Sequence, residues 1–384
     1  MLKKIAKKAA DFFSGCGEDF KTQLRHAGEH KGRALLSILI VVLIIFGCGA
    51  SLVYGKVHSY FEQSNYVADV EEEEEEVTPT PEPTPEEPVD PEMQEIYDKM
   101  ELYKSTGDIL QDENVYNVLL VGIDRTASKE YGNTDSMILV SINFELKQVS
   151  MISLMRDTCV DIPGVGYRKL NAAYNNGGSE LMLETVTENY RVQVDRYMMV
   201  AMKDMINIIN KIGTISLHFT EAEANNANTT MLHMCQNLKI EDKYEEWKIP
   251  GEGTYECNGV QAVAYARIRK VGNADYERTE RQREVLSKLI RQIRLMSISD
   301  IDKLAKELLP YVTHNIPESE FWGLLSKLPT VMNFSINKSR IPYDGLYYSQ
   351  NGNLVPDWEA TYERLQEELY GIKSDCTTEE NELY

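Results

Sequence analysis

Apolar positions along the chain come in three textures. Residues 34–55 (ALLSILIVVLIIFGCGASLVYG) form one apolar run without a charged residue. At about 1.5 Å per residue a helix of that length spans roughly 33 Å, enough for the hydrocarbon core of a bilayer. From Val115 onward the texture changes to short β-rich runs, NVLLVGI (117–123), SMILVSI (136–142) and QVSMISL (148–154). Helical spacing follows in SELMLETVTENY (179–190), MKDMINIINKI (202–212), NGVQAVAYARI (258–268) and DYERTERQREVLSKLIRQI (275–293). Residues 93–105 also read as a helix, residues 295–371 continue with helical pieces, and a strand is predicted near Ile336 to Pro342. Strands mixed with helices predict an α/β domain, a central mixed β-sheet flanked by helices, preceded by one transmembrane helix.

Charge gives the anchor a direction. The 33 residues before it hold eight Lys or Arg and four acids, and the chain turns acidic soon after it. The positive-inside rule places a basic cytoplasmic tail at 1–33, the membrane helix at 34–55 and the rest outside the cell. A cleaved signal peptide and a lipoprotein site at Cys48 are the competing readings, and both keep the bulk of the chain outside. Residues 71–92 carry eleven acids, six prolines and no Lys or Arg, so about half of the net charge of −21 sits in one short segment. Like charges and proline favour an extended spacer, so 56–112 reads as an acidic, proline-rich stalk. The domain proper is expected at 113–294, with a C-terminal extension at 295–371 and a polar tail at 372–384. No nucleic-acid partner is indicated by this balance. Of the exported cysteines, Cys235 and Cys257 are the pair to test for a disulfide, with free buried thiols the equal alternative.

Several common catalytic signatures are absent: there is no P-loop, no G-x-S-x-G, no H-E-x-x-H and no paired C-x-x-C. Acids and arginines at strand and helix ends stand out instead. Asp124 follows the first strand and Asp135 opens the second. If those strands are neighbours, two carboxylates meet at a sheet edge, a donor set suited to Mg²⁺ with phosphate oxygens, although ordinary turn aspartates fit equally well. Arg156 and Asp157 close the third strand, followed by Lys169 and Asn171. The densest cluster is Arg267, Arg269, Asp275, Arg278, Arg281 and Gln282. In the last helix Val285, Leu286, Leu289 and Ile293 make the apolar face, and Arg278 and Gln282 precede Val285 and Leu289 by seven residues, two turns. Those polar groups point the way the core points, with Arg281 close to the same face, whereas Arg283, Arg291 and Arg294 read as solvated. Inward arginines need anionic partners, either the nearby aspartates or a ligand phosphate.

The segments NVLLVGID (117–124), TDSMILVSI (134–142), ISLMRDT (152–158), RKLNAAYNNGG (168–178) and NGVQAVAYARIRKVGNADYERTERQREVL (258–286) resemble, in order, the LytR-CpsA-Psr proteins of Gram-positive cell envelopes. That resemblance implies an αβα domain with glycopolymer phosphotransferase activity. The polymer, for example a teichoic acid, would move from undecaprenyl pyrophosphate to peptidoglycan through a phosphodiester. It further implies Asp124 and Asp135 as the Mg²⁺ and pyrophosphate site. Arg156, Arg267, Arg269, Arg278 and Gln282 would be pyrophosphate contacts, and Arg281 would belong to the same substrate site. Lys169 and Asn171 would line the pocket, Asp275 would orient the arginines, and Asp135 is the candidate to accept the acceptor's proton. The lipid tail is expected in an apolar tunnel that the sequence does not assign. Other functions remain: a non-catalytic binder of lipid-linked or polyanionic glycan, or a polyprenyl pyrophosphatase. The 33-residue tail is too short for a helix-turn-helix, which disfavours a transcriptional regulator.

Overall fold

The computed structural model describes residues 58–59, 61–68, 91–105, 107–124, 133–240, 243–272 and 275–372. Among these, no helix is long and apolar enough to cross a membrane. The tail expected at 1–33, the anchor expected at 34–55 and the polar tail lie outside the described residues, as does the acidic run up to residue 90.

The strands are β1 (Asn65–Tyr66), β2 (Val115–Asp124), β3 (Asn133–Asn143), β4 (Gln148–Leu154), β5 (Cys159–Ile162), β6 (Gly166–Lys169) and β7 (Arg196–Ala201). They continue as β8 (Ile215–Phe219), β9 (Gly253–Cys257), β10 (Thr313–His314), β11 (Ser335–Ile341), β12 (Tyr347–Gln350) and β13 (Asn353–Pro356). The helices are α1 (Pro91–Ser105), α2 (Ala172–Tyr190), α3 (Met202–Ile212), α4 (Glu221–Leu238), α5 (Tyr244–Trp247) and α6 (Gly259–Ala266). After them come α7 (Asp275–Arg294), α8 (Ile298–Leu308), α9 (Glu318–Val331) and α10 (Trp358–Leu365).

Seven strands pair in the order β1-β10-β7-β2-β3-β4-β11. The β2–β3 and β3–β4 pairs are antiparallel, while β2–β7 and β4–β11 are parallel, so the sheet is mixed as expected. Both faces of the central strands are apolar, the pattern of a sheet covered on both sides. Leu119 and Val121 of β2, with Met137 and Leu139 of β3, pack against α1, α2 and α10. Ile138, Val149 and Met151 face the other way, toward Leu286 and Ile290 of α7. The helices on that side hold a second core of Ile206, Ile209, Leu217, Phe219, Val263 and Leu289 among others. Helices α3 and α6 cross closely: a Cβ on Gly259 would stand 2.2 Å from the carbonyl oxygen of Ile206, which only glycine avoids.

Two expectations change, and one open alternative is decided. The stalk does not extend to residue 112, because α1 buries Met93, Ile96, Met100 and Tyr103 in the main core and β1 joins the sheet beside β10. The apolar spacing of α1 anchors it, whatever the composition around it. Residues 295–371 are more than an extension, since they supply β10 and the edge strand β11 of the sheet itself. Cys235, Cys257 and Cys159 are buried thiols, so Cys235 and Cys257 form no disulfide. Burial pushes the Cys159 thiol up to about 11 and Cys257 to about 12, which favours the protonated form of both at neutral pH.

Candidate functional site: an apolar cavity with a guanidinium wall

Between the sheet and helices α3, α6 and α7 lies a cavity of about 340 Å³. The sheet contributes Leu120, Ile138, Met198 and Val200, and the helices contribute Met205, Ile208, Ile212, Val263, Leu289 and Ile293. Ile212, Ile293, Leu308 and Val312, all apolar, line it away from the polar wall. Polar groups gather at the opposite end, where Ser136, Arg267, Arg269, Arg278 and Gln282 line the wall beside Gly122 and Ile123. The resemblance implied an apolar tunnel without naming residues, and this cavity has an apolar lining of that kind. Met198 of β7 and Met202 and Met205 of α3, which carried no motif, are part of its lining.

The arginines reach this wall by two routes. Helix α6 ends at Arg267, whose backbone N–H bonds to the Ala264 and Tyr265 carbonyls, and the chain then turns with Arg267 and Arg269 at the cavity. Asn258 opens α6 with a reciprocal capping box to Gln261, so the short helix is stabilised at its start. Helix α7 brings Arg278, only 2% exposed, and Gln282 from one face. Ser136 Oγ donates to Gln282 Oε1 at 3.1 Å, which fixes the amide across the mouth.

The β2–β3 register sets the acidic edge. Gly122 pairs with Ser136 and Ile123 with Thr134, so Asp135 is the extra residue of a bulge, and Asp124 pairs with Asn133. Bulges re-aim side chains and concentrate at functional edges. The backbones of Asp124 and Asp135 thus lie on neighbouring strands at one sheet edge. Their side chains, and that of Asp275, are outside the described residues.

Other expected residues separate. Arg156 and Asp157 follow β4, with Arg156 Nε 3.4 Å from an Asp157 carboxylate oxygen. Lys169, at the end of the β5–β6 hairpin, pairs with the same carboxylate at 2.8 Å. Asn171 caps no helical N–H with its side chain, but its backbone N–H bonds to the Arg156 carbonyl at 3.2 Å, which ties the two loops together. None of Arg156, Lys169 and Asn171 lines the cavity. Arg281 does not line it either. Its Nε donates to Glu223 at 2.8 Å, Nη2 to Glu277 at 2.6 Å and Nη1 to the Ile268 carbonyl at 3.3 Å, so its guanidinium holds the loop between Arg267 and Arg269. Burial pushes the Glu223 carboxyl up, but the Thr220 backbone N–H and Arg281 outweigh it, and the group ends below the usual carboxylate range. Arg283 reverses its expectation. It is 8% exposed, not solvated, because tertiary packing covers the face of α7 that carries it.

Known proteins bear on this site. The chain is 33% identical over 245 residues to Biofilm regulatory protein A of Streptococcus mutans, a match covering 60% of this chain and 56% of that protein. It is 29% identical over 285 residues to the polyisoprenyl-teichoic acid–peptidoglycan teichoic acid transferase TagU of Enterococcus faecalis, covering 72% and 86%. The crystal structure of Bacillus subtilis TagV superimposes with a TM-score of 0.52 at 28% identity, covering 68% of this chain and 99% of that one. The LytR_cpsA_psr family profile matches residues 73–370, well over half of the chain, and the chain therefore belongs to that family.

Proposed function

We propose that the protein is a membrane-anchored phosphotransferase that moves a glycopolymer from undecaprenyl pyrophosphate to peptidoglycan. The observation that carries this reading is the cavity, apolar along its length and walled by Arg267, Arg269 and Arg278 at one end. An isoprenoid tail suits the first part, and a pyrophosphate suits the second. The relative named as a teichoic acid transferase supports the reaction class. The anchor expected at 34–55 would keep the domain where lipid-borne donors reside.

The chemistry has few steps. The acceptor hydroxyl oxygen bonds to the polymer-side phosphorus, the bridging P–O bond breaks, and undecaprenyl phosphate leaves with the electron pair. The hydroxyl proton passes to the Asp135 carboxylate. Guanidiniums of Arg267, Arg269 and Arg278 stabilise charge on the phosphate oxygens in a low-dielectric wall, where such contacts count most. Gln282, held by Ser136, orients the same group. Asp124 and Asp135 are the residues that would hold Mg²⁺, since their strands meet at one edge and two carboxylates with phosphate oxygens complete its shell. The ion would supply positive charge to offset the negative charge of the phosphate oxygens.

Transfer from a lipid-pyrophosphate donor to peptidoglycan oligomers, with and without Mg²⁺, tests this directly. The wild type should transfer only with Mg²⁺, and Asp124→Ala and Arg267→Ala should lose activity by a factor of roughly a hundred or more. Normal transfer by either variant would overturn the assignment. Hydrolysis without an acceptor would favour a pyrophosphatase, and tight binding without turnover a glycan-binding module.

A further inference from the structure

Beside the cavity lie three buried donors that the site described above does not use. Arg283 Nη1, Arg340 Nε and Ser153 Oγ are each buried without a hydrogen-bond partner among the described residues. Buried polar groups are nearly always satisfied, so three orphans in one place require an explanation. Sheet register puts them together. Met198, Leu120, Ile138, Ser153 and Arg340 are successive partners across β7, β2, β3, β4 and β11. The first three of that row line the cavity, and the last two carry orphan donors. Directly paired residues project from the same face, so Ser153 and Arg340 face α7 as Ile138 does.

Helix α7 runs over this row. Its Phe334-side end is marked by Arg294 Nη2, which donates to the Phe334 carbonyl at 3.2 Å. Its other end is marked by Tyr276, whose ring lies 4.6 Å beneath the Arg340 guanidinium. Arg283, two turns from Tyr276, therefore sits over β4 and β11 just as Gln282 sits over the cavity. The ordinary partners are taken or distant. Arg340 uses its terminal nitrogens on Asp344. Glu368 accepts from Ser339 at 2.6 Å and Tyr343 at 2.8 Å. Glu280 is exposed and makes no ion pair with Arg283. The Arg283 guanidinium is held below its usual basicity by burial and by Arg340, against the opposing charges of Glu280 and Glu368. Arg340 already has Asp344 as its anion, so Arg283 is the buried cation here without an ion pair among the described residues, and such a charge costs stability.

We propose that Arg283, Arg340 and Ser153 form a second anion subsite, lateral to the cavity wall, which takes a phosphate-type oxyanion. Resting on the transferase reading, the occupant is a backbone phosphodiester of the donor polymer, one unit beyond the pyrophosphate held by Arg267 and Arg278. Two guanidiniums and a hydroxyl match the oxygens of one phosphate. The polymer would run off the cavity mouth toward the β11 edge of the sheet, which gives the enzyme a preference for polyanionic over neutral polymers.

The test uses the full chain in detergent and three probes: a short poly(glycerol phosphate) oligomer, inorganic phosphate, and polyprenyl pyrophosphate without polymer. Arg283→Gln and Ser153→Ala should each weaken oligomer binding roughly tenfold, the loss of one charge-assisted contact, and leave polyprenyl pyrophosphate binding unchanged. Arg267→Ala should do the reverse. Thermal stability of Arg283→Gln should hold or rise, because an orphan charge is removed. A lower melting temperature with unchanged oligomer binding would mean that Arg283 is structural, and would overturn the subsite. Equal weakening for inorganic phosphate and oligomer would mean a free-anion site and overturn the polymer assignment. If the wild type binds polyprenyl pyrophosphate but not the oligomer, the subsite fails and the transferase reading stands. If transfer fails while the oligomer effects appear as described, the transferase reading fails and the oxyanion subsite stands.

Discussion

At the scale of single residues, the site depends on side chains whose sequence neighbours have different work. Arg278, Arg281, Gln282 and Arg283 follow one another on α7 within two turns, yet they face a cavity wall, a pair of carboxylates, a serine and the edge strand in turn. Helical phase separates them by about 100° per residue, and small changes of phase decide each role. Gly122 shows how little space remains at the edge. A Cβ there would stand 3.1 Å from the Cβ of Ser136, at the bulge that carries Asp135. Gly122→Ala should therefore shift β3, disturb the Ser136–Gln282 bond and cost about 1–3 kcal/mol by chemical denaturation. An unchanged midpoint would show that the edge yields freely.

Among elements, α7 is tied to α4 and to the Arg267–Arg269 loop by one guanidinium. Removing a partner from a buried pair leaves the other charge uncompensated, so Arg281→Met should lose about 3 kcal/mol and weaken lipid pyrophosphate binding indirectly. The carboxylates it faces predict a pH dependence. Glu223 is depressed in the folded state, so its contribution is complete above the unfolded carboxyl value near 4.3 and is lost as pH falls through the lower folded value. Unfolding free energy should drop on acidification below about pH 4.3, and Glu223→Gln should shallow that drop. Parallel titration curves for wild type and variant would exclude the linkage.

Across the whole molecule, two cores flank one sheet, and the space between the sheet and the second core is left unfilled. A cavity of about 340 Å³ is normally costly, since its lining loses packing contacts. Retaining it is consistent with a resident apolar ligand. Met205→Trp, which adds bulk inside the lining, should abolish co-purification of polyprenyl phosphate measured by mass spectrometry. Melting temperature should hold or rise, as in other cavity-filling changes. Lipid retained at wild-type levels would place the tail elsewhere.

Much of this was legible in the sequence because the relevant signals are local. Period-two and period-3.6 spacing located β2, β3, β4, α3, α6, α7 and β11, and the Asp and Arg motifs fell at their ends. The inward phase of Arg278 and Gln282 was also readable, since Val285 and Leu289 mark the same stripe. What sequence could not supply comes from pairing across long separations. Ser153 and Arg340 stand side by side only because β11 returns to β4 after the chain has built α2 through α9. The burial of Arg283 and the docking of α1 in the main core are likewise tertiary outcomes, because burial depends on what lies opposite a face. The sequence alone determined which residues carry charge and which helices and strands bear them. Only the tertiary structure decided which charges share a wall, since sheet register and helix packing set distances that no local pattern encodes.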